Sequence, residues 1–137
     1  MTGEAKTHYE VIVVGAGVAG IYQIKRLADL GIDATVLEAA PDLGGTWYWN
    51  RYPGARCDVE SLQYSFSFSE ELDQDWSWSE KYSPQPEILA YANHVADRFD
   101  LRSQIVFNTR VIAATFDEQA GSWLIETDRG DRVSAKF

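Results

Sequence analysis

Residues 10–20 read EVIVVGAGVAG, and this stretch decides the fold. Val11 to Val14 form a short, continuous apolar run, which is typical of a parallel strand that is buried on both faces. Gly15, Gly17 and Gly20 follow with the spacing G-x-G-x-x-G. Alone this pattern is weak, but between a buried strand and a helix it indicates a dinucleotide-binding turn.

The residues that follow complete a strand–helix–strand unit. Apolar residues recur at helical spacing from Val18 to Ala28, and Gly31 stands where a helix end favours a left-handed residue. Ala34 to Glu38 then reads as a second short strand. Two strands and a helix within about thirty residues make one βαβ unit. The sequence therefore predicts an α/β protein with a Rossmann-like fold.

Glu38 ends this second strand, eighteen residues after Gly20 (38 − 20). A carboxylate at that spacing accepts hydrogen bonds from ribose hydroxyls and repels a 2′-phosphate, so NADP is not the expected ligand of this turn. FAD and NAD both remain possible on these residues. The alternative is a purely structural glycine turn beside a solvated Glu38.

The second half of the chain adds one clear helix and further strand sequence. Pro84 and Pro86 suit the first turn of a helix within residues 83–101, where apolar residues recur at steps of three and four. Residues 104–118 are rich in β-branched and aromatic types, with a break expected at 108–110.

Residues 121–137 read as a β-hairpin, with the turn at Asp128 to Asp131. Residues 61–82 are predicted to be irregular, with at most a short strand or helical turn. Residues 1–9 are predicted to be a flexible tail, and residues 10–137 a single, incomplete FAD- or NAD-binding domain.

The composition narrows the classes of partner. The 12 basic and 21 acidic residues give a net charge of −9, which disfavours nucleic acid and anionic membrane surfaces. The only cysteine is Cys57, so no disulfide can form within the chain. No signal peptide, membrane-spanning run or Cys/His cluster for a metal is recognisable. We expect a soluble cytoplasmic protein without a metal site.

Residues 44–61 read GGTWYWNRYPGARCDVES and are unusually aromatic for a loop. Gly44 and Gly45 suit a backbone that passes close to a ligand. Trp47, Tyr48 and Trp49 offer flat faces and polar edges that could line an isoalloxazine ring. The alternative is a hydrophobic loop that only covers a sheet edge.

At these residues the sequence resembles the type I Baeyer–Villiger monooxygenases, most closely the phenylacetone and steroid monooxygenase branch. The family pattern is G-G-x-W-x-x-x-x-Y-P-G-x-x-x-D. Its fixed positions are matched at Gly44, Gly45, Trp47, Tyr52, Pro53, Gly54 and Asp58. The resemblance continues through SEKY, QPEILAY, VADRFDLR and TDRGDRVSAKF and so covers nearly the whole chain after the tail.

The resemblance implies a set of FAD and NADPH contacts. Asp58 is the implied catalytic residue, since it lies close to the flavin. The ADP part of FAD is implied to bind at Gly15, Ala16, Gly17, Val18, Ala19, Gly20 and Glu38, with its adenine at the backbone of Val111. The flavin is implied to bind along Gly45, Thr46, Trp47, Tyr48, Trp49 and Tyr64. The nicotinamide cofactor is implied to approach Arg56, Cys57 and Asp58.

The implied activity is NADPH-dependent insertion of one oxygen atom of dioxygen into a ketone, giving an ester or lactone through a peroxide at the flavin C4a atom. It would require the remainder of the polypeptide, including a second glycine motif for NADPH and an arginine beside the flavin. We expect residues 1–137 alone to be inactive. Two alternatives stay open: a flavin- or NAD-dependent dehydrogenase, and a non-catalytic nucleotide-binding fragment.

Overall fold

A computed structural model describes residues 6–137, which form a three-stranded and a four-stranded sheet. In the three-stranded sheet, β2 (Val11–Val14), β3 (Ala34–Leu37) and β4 (Ile105–Val106) are all parallel, with β3 in the centre. Helix α1 (Val18–Asp29) connects β2 to β3. The predicted βαβ unit and its Rossmann-like class are confirmed, including a left-handed Gly31 with φ of +67° after the helix.

Three further helices follow, α2 (Thr46–Trp49), α3 (Glu70–Asp75) and α4 (Gln85–Arg98), with 3-10 turns at Ser61–Tyr64 and Arg102–Gln104. Helices α3 and α4 contribute buried residues to the same core as α1 and the three-stranded sheet, and α2 contacts α4. The predicted helix near residue 85 is confirmed. The core beneath it combines both halves of the chain, and its fully buried members include Ile21, Ile24, Val36, Leu43, Leu72 and Val95.

The four-stranded sheet contains β1 (His8–Tyr9), β5 (Val111–Asp117), β6 (Ser122–Thr127) and β7 (Arg132–Ala135), in the order β1, β7, β6, β5. Strand β6 pairs antiparallel with both β5 and β7. The predicted hairpin is confirmed as β6 and β7, and the predicted break near residue 109 separates β4 from β5. The sequence did not predict that β5 would pair with this hairpin.

The prediction of a flexible tail is wrong for His8 and Tyr9. These two residues form β1, which runs parallel to β7, with His8 opposite Ser134 and Tyr9 opposite Ala135. The backbone groups of residues 126 positions apart form this pairing, so no local apolar pattern in the sequence is needed for it. The part of the predicted tail that comprises residues 1–5 lies outside the described residues.

The two sheets are joined at the end of β7. The Ile12 N–H donates to the Phe137 carbonyl at 3.0 Å, and the Phe137 N–H donates to the Glu10 carbonyl at 2.9 Å. The β2 strand that leads to the glycine turn is thereby tied to the hairpin sheet. Among residues 6–137, no helix is both long and apolar enough to cross a bilayer.

Candidate functional site

The glycine turn places the open end of α1 at the carboxyl edge of the parallel sheet. Gly15 leaves β2 with φ of +95°, a left-handed conformation that favours glycine, and its N–H donates to the Leu37 carbonyl at 2.9 Å. Gly17 is the N-cap of α1, and neither a capping side chain nor a first-turn acidic residue of the described chain satisfies this helix end. The exposed backbone donors and the helix dipole therefore suit an anion such as a pyrophosphate.

Gly20 is needed because helix and turn are in contact. A Cβ atom at this position would lie 1.9 Å from the carbonyl oxygen of Gly15. This obstacle is backbone, so it cannot rotate away as a flexible side chain would. The third glycine of the motif thus sets how closely α1 approaches the end of β2.

Glu38 is buried, with 5% of its surface exposed. Its Oε2 accepts a hydrogen bond from the Ala16 N–H at 2.5 Å, and its Oε1 accepts one from the Ala40 N–H at 2.7 Å. The alternative of a solvated Glu38 is therefore wrong. The carboxylate holds the glycine turn and the segment after β3 together, a role that the sequence pattern did not predict.

A second glycine turn packs directly on the first. The Gly44 N–H donates to the Ala16 carbonyl at 2.9 Å, and a Cβ atom on Gly45 would lie 2.9 Å from the Cα atom of Gly17. Gly44 and Gly45 have φ angles of +124° and +56°. Contact between two backbones thus accounts for Gly45, whereas a Cβ atom on Gly44 would lie 2.5 Å from the Leu89 side chain. The contact at Gly45 brings the residues that follow it, the aromatic segment 46–49, beside the first glycine turn.

The aromatic segment forms the single-turn helix α2. The ring of Trp47 meets that of Tyr64 edge to face, with centroids 5.7 Å apart, and Tyr48 meets Trp49 in the same manner at 5.0 Å. Trp49 is 57% exposed, and the Arg51 guanidinium lies 4.9 Å from the Tyr48 ring centroid. These rings form a partly open aromatic surface.

Three side chains satisfy the carbonyl groups at the end of α2. Asn50 Nδ2 donates to the Thr46 carbonyl at 2.9 Å, Arg51 Nε donates to the Tyr48 carbonyl at 2.7 Å, and Gln85 Nε2 donates to the Trp47 carbonyl. Asn50 and Arg51 directly follow α2, whereas Gln85 is the first residue of α4 and is buried. Gln85 was not predicted as a site residue, because residue spacing carries no signal for a contact across 38 positions.

The segment that carries Arg56, Cys57 and Asp58 pairs with the residues before α4. The Cys57 N–H donates to the Ser83 carbonyl at 3.1 Å, and the Gln85 N–H donates to the Ala55 carbonyl at 2.8 Å. Arg56 Nη1 donates to Glu80 Oε2 at 2.9 Å and to the Tyr82 carbonyl at 2.8 Å. Cys57 is buried and Asp58 is exposed, so only the carboxylate presents itself to solvent.

Tyr64 lies between the aromatic segment and the turn that carries Asp58. Burial raises the pKa of the Tyr64 phenol above its usual value, and the charges of Cys57 and Asp58 raise it further. The Trp47 side chain acts in the opposite direction. Tyr64 is therefore neutral near pH 7, and its titration senses the charge of Asp58.

Val111 follows Thr109 by two residues, and the Thr109 N–H donates to the Glu38 carbonyl at 2.9 Å. Val111 opens β5 in the four-stranded sheet, opposite Thr127. A cavity of about 320 Å³ lies near the junction of the two sheets, and its lining includes Leu37, Thr109 and Arg129. These three residues were not predicted as site residues. Within residues 6–137, no group of three or more His, Cys, Asp and Glu side chains could hold a metal ion.

Comparison with known proteins agrees with this geometry. Residues 13–78 match the NAD(P)-binding Rossmann-like domain family. A Baeyer–Villiger monooxygenase of Pseudooceanicola batsensis is 44% identical over 130 residues, which is 94% of this chain and 24% of that protein. The structure of an oxidized steroid monooxygenase bound to NADP superposes with a TM-score of 0.93 and 62% identity, covering 96% of this chain and 25% of that one. The chain is related to the Baeyer–Villiger monooxygenases. The resemblance drawn from the sequence is thus confirmed.

A further similar structure was determined with both cofactors. OTEMO in complex with FAD and NADP has a TM-score of 0.89 and 41% identity, covering 97% of this chain and 25% of that one. The present chain spans about a quarter of the length of the monooxygenases that it matches.

Proposed function

We propose that residues 10–137 form the FAD-binding section of a Baeyer–Villiger monooxygenase that uses FAD and NADPH. The observation that carries this proposal is the contact between Gly17 and Gly45. It sets the open N-terminus of α1 beside the aromatic surface of α2. A dinucleotide cofactor with a flat, redox-active ring needs these two features side by side.

The nucleotide half of FAD fits the glycine turn. The backbone N–H groups of residues 15–20 would bind the pyrophosphate, aided by the positive end of the helix dipole. Glu38 would accept hydrogen bonds from ribose hydroxyls through lone pairs that Ala16 and Ala40 leave free, since an ionised carboxylate has about four acceptor sites. The backbone of Val111 would contact the adenine.

The aromatic surface would lie along the flavin. Thr46, Trp47, Tyr48, Trp49 and Tyr64 would pack on the ring system and exclude water from it. Bound FAD would supply hydride acceptance and the activation of dioxygen. The residues of this chain would contribute position and shielding, because a reactive oxygen adduct is lost to side reactions when water enters.

Asp58 is the proposed catalytic residue of this section. It is exposed beside Tyr64 and would face both the flavin and a cation from the rest of the polypeptide, fixing that charge where an oxyanion develops. Arg56 and Cys57 would border the nicotinamide of NADPH. The proposed substrates of the whole enzyme are a ketone and dioxygen, in the cytoplasm, and residues 1–137 alone would not turn them over.

The proposal is tested on the complete polypeptide that carries this chain. We expect the purified protein to show a flavin absorbance spectrum and to convert a ketone to an ester with consumption of one NADPH and one O₂. NADPH oxidation with no requirement for dioxygen would instead identify a dehydrogenase. A protein that bound no flavin when supplied with FAD would overturn the proposal.

A variant of Asp58 tests its separate role. Asp58→Asn should keep FAD bound, because the glycine turn and Glu38 are unchanged, but the yield of ester per NADPH should fall and hydrogen peroxide should accumulate. Asp73→Asn, on the exposed face of α3, is the matched control. Equal ester yields in wild type, Asp58→Asn and Asp73→Asn would remove Asp58 from the mechanism.

A further inference from the structure

Ser83 is a fully buried serine that the proposed function leaves unused. It lies two residues before α4, in an extended segment that also contains Pro84. Buried serines require hydrogen-bond partners, because an unsatisfied hydroxyl in the interior is costly. The partners of Ser83 therefore indicate what the residue does.

Ser83 forms hydrogen bonds with Cys57, which precedes Asp58 in the chain, and with Ser61, which follows it. On the preceding side, its carbonyl accepts the Cys57 N–H at 3.1 Å and lies 3.5 Å from Cys57 Sγ. On the following side, its N–H donates to Ser61 Oγ at 2.8 Å, and the two hydroxyl oxygens are also 2.8 Å apart. Ser61 is itself buried.

Ser61 is also hydrogen-bonded to the residues just before Ser83. Its N–H donates to the Lys81 carbonyl at 2.8 Å, and its hydroxyl lies 2.8 Å from the Glu80 carbonyl. The stretch from Cys57 to Ser61 is thus a short bridge with both ends fixed. Cys57 and Ser61 are buried, whereas Asp58 and Val59 between them are exposed and Glu60 is partly buried.

We propose that Ser83 is the positioning residue for Asp58: through Cys57 on one side and Ser61 on the other, it fixes the turn that presents the carboxylate. The functional meaning of this position rests on the proposed role of Asp58 at the flavin. The bonding pattern itself does not depend on that role. Ser83 and Ser61 act as a pair, since each hydroxyl is the other's partner.

Tyr64 supplies a reporter that needs no cofactor. The charge of Asp58 contributes to the raised pKa of the Tyr64 phenol, together with burial and Cys57. If Asp58 moves away from Tyr64, the pKa of the phenol falls toward its ordinary value. A loss of stability alone does not produce this shift in the folded fraction.

The test compares Ser83→Ala and Ser61→Ala with wild type and with Ser77→Ala in the full chain. Ser77 is exposed in the same region, so its substitution removes the same atom without a buried bond. Two properties are measured without FAD: hydrogen exchange of residues 57–61, and the titration of Tyr64 by NMR of ¹³Cζ-labelled tyrosine, assigned with Tyr64→Phe. Asp58→Asn gives the titration expected when the charge is lost.

Ser83→Ala should speed amide exchange in residues 57–61 by about tenfold, the effect of losing one buried hydrogen bond. It should also shift the Tyr64 titration toward that of Asp58→Asn, whereas Ser77→Ala should do neither. Ser61→Ala should have at least the effect of Ser83→Ala, because it also removes the acceptor of the Ser83 N–H and the hydroxyl that bonds to the Glu80 carbonyl. The double variant should resemble Ser61→Ala, since the contact between the two hydroxyls is lost in both single variants. If Ser83→Ala does not fold, Ser61→Ala decides the question, because it breaks the same contact between the two hydroxyls from the other side.

Wild-type exchange and an unshifted Tyr64 titration in both serine variants would overturn the inference. Failure of both variants to fold would also overturn it, since the pair would then be required for the fold and not for the position of one turn. FAD binding is measured separately. A wild-type protein that binds no FAD refutes the proposed function while the cofactor-free measurements still decide the role of Ser83.

Discussion

The glycine turn and the aromatic segment touch each other, yet they are held in opposite ways. The turn depends on side chains that are missing: Gly20 lets α1 reach the Gly15 carbonyl, and Gly17 lets the second turn approach. The aromatic segment depends on side chains that are present, because Gln85 at the start of α4 donates to its Trp47 carbonyl. One region is therefore sensitive to added atoms and the other to lost hydrogen-bond donors.

Glu38 belongs to the glycine turn but is held like the aromatic segment. Its carboxylate accepts two buried backbone N–H groups from different segments. The site thus divides by the kind of contact that holds each part and not only by position in the chain. Four substitutions test this division, from the largest expected effect to the smallest.

Gly20→Ala should have the largest effect, because it adds an atom where two backbones meet. The new Cβ would lie 1.9 Å from the Gly15 carbonyl oxygen, so the helix or the turn must shift. We expect the free energy of unfolding to fall by about 3 kcal/mol or more, at or beyond the usual range for overpacking. Chemical denaturation followed by circular dichroism measures it.

The control for Gly20→Ala is Gly121→Ala. Gly121 has φ of +62° and open space around its missing Cβ atom, so the cost there is only that of a left-handed alanine, about 1–2 kcal/mol. Gly20 lies inside α1 and has no positive φ, so its loss comes from the contact alone. A loss for Gly20→Ala no larger than that for Gly121→Ala would contradict the prediction.

Glu38→Ala removes the acceptor for two buried N–H groups. Each unsatisfied group costs about 1–3 kcal/mol, and we expect a total loss near 2 kcal/mol because water can partly enter the space left. FAD affinity should fall as well, since the turn loses its support. Glu10→Ala is a suitable control, because Glu10 also accepts a backbone N–H, at 3.1 Å from Asp33, but is exposed. Flavin content and denaturation midpoints are measured for both variants. A Glu38→Ala protein that matched wild type in both properties would contradict the prediction.

Gln85→Met keeps the length of the side chain and removes its donor. The Trp47 carbonyl then loses its partner, and we expect a loss of about 1–2 kcal/mol in the free energy of unfolding. Hydrogen exchange should rise in residues 46–50 and stay unchanged in the glycine turn, because the turn does not use Gln85. Increased exchange throughout residues 15–20 would show that the two regions are not supported independently.

The sequence predicts the first region far better than the second. The βαβ unit follows from a buried apolar run, three glycines and a helical stripe, all of which are local. Helix α2 has four residues, too few for any periodicity to appear, so the sequence predicts only a loop there. The contacts of Ser83 and Gln85 are equally hidden, because a polar side chain does not specify a distant partner. Strand β1 was missed for the same reason.

Arg56→Ala should have the smallest effect on stability and still affect function. Its guanidinium is about half exposed and pairs with Glu80, and exposed ion pairs contribute only about 0–1 kcal/mol. The two acceptors that hold it, Glu80 and the Tyr82 carbonyl, nonetheless fix its direction. If Arg56 borders the nicotinamide cofactor, its loss removes a charge-assisted contact, and NADP affinity in the complete polypeptide should fall by about tenfold or more.

Arg132→Ala is the matched control, because Arg132 forms a similar exposed pair with Glu126 on the hairpin sheet. Titration calorimetry with NADP separates the two positions. Equal NADP affinities in both variants would restrict Arg56 to its surface ion pair and would leave the aromatic segment without a cationic contact to the second cofactor.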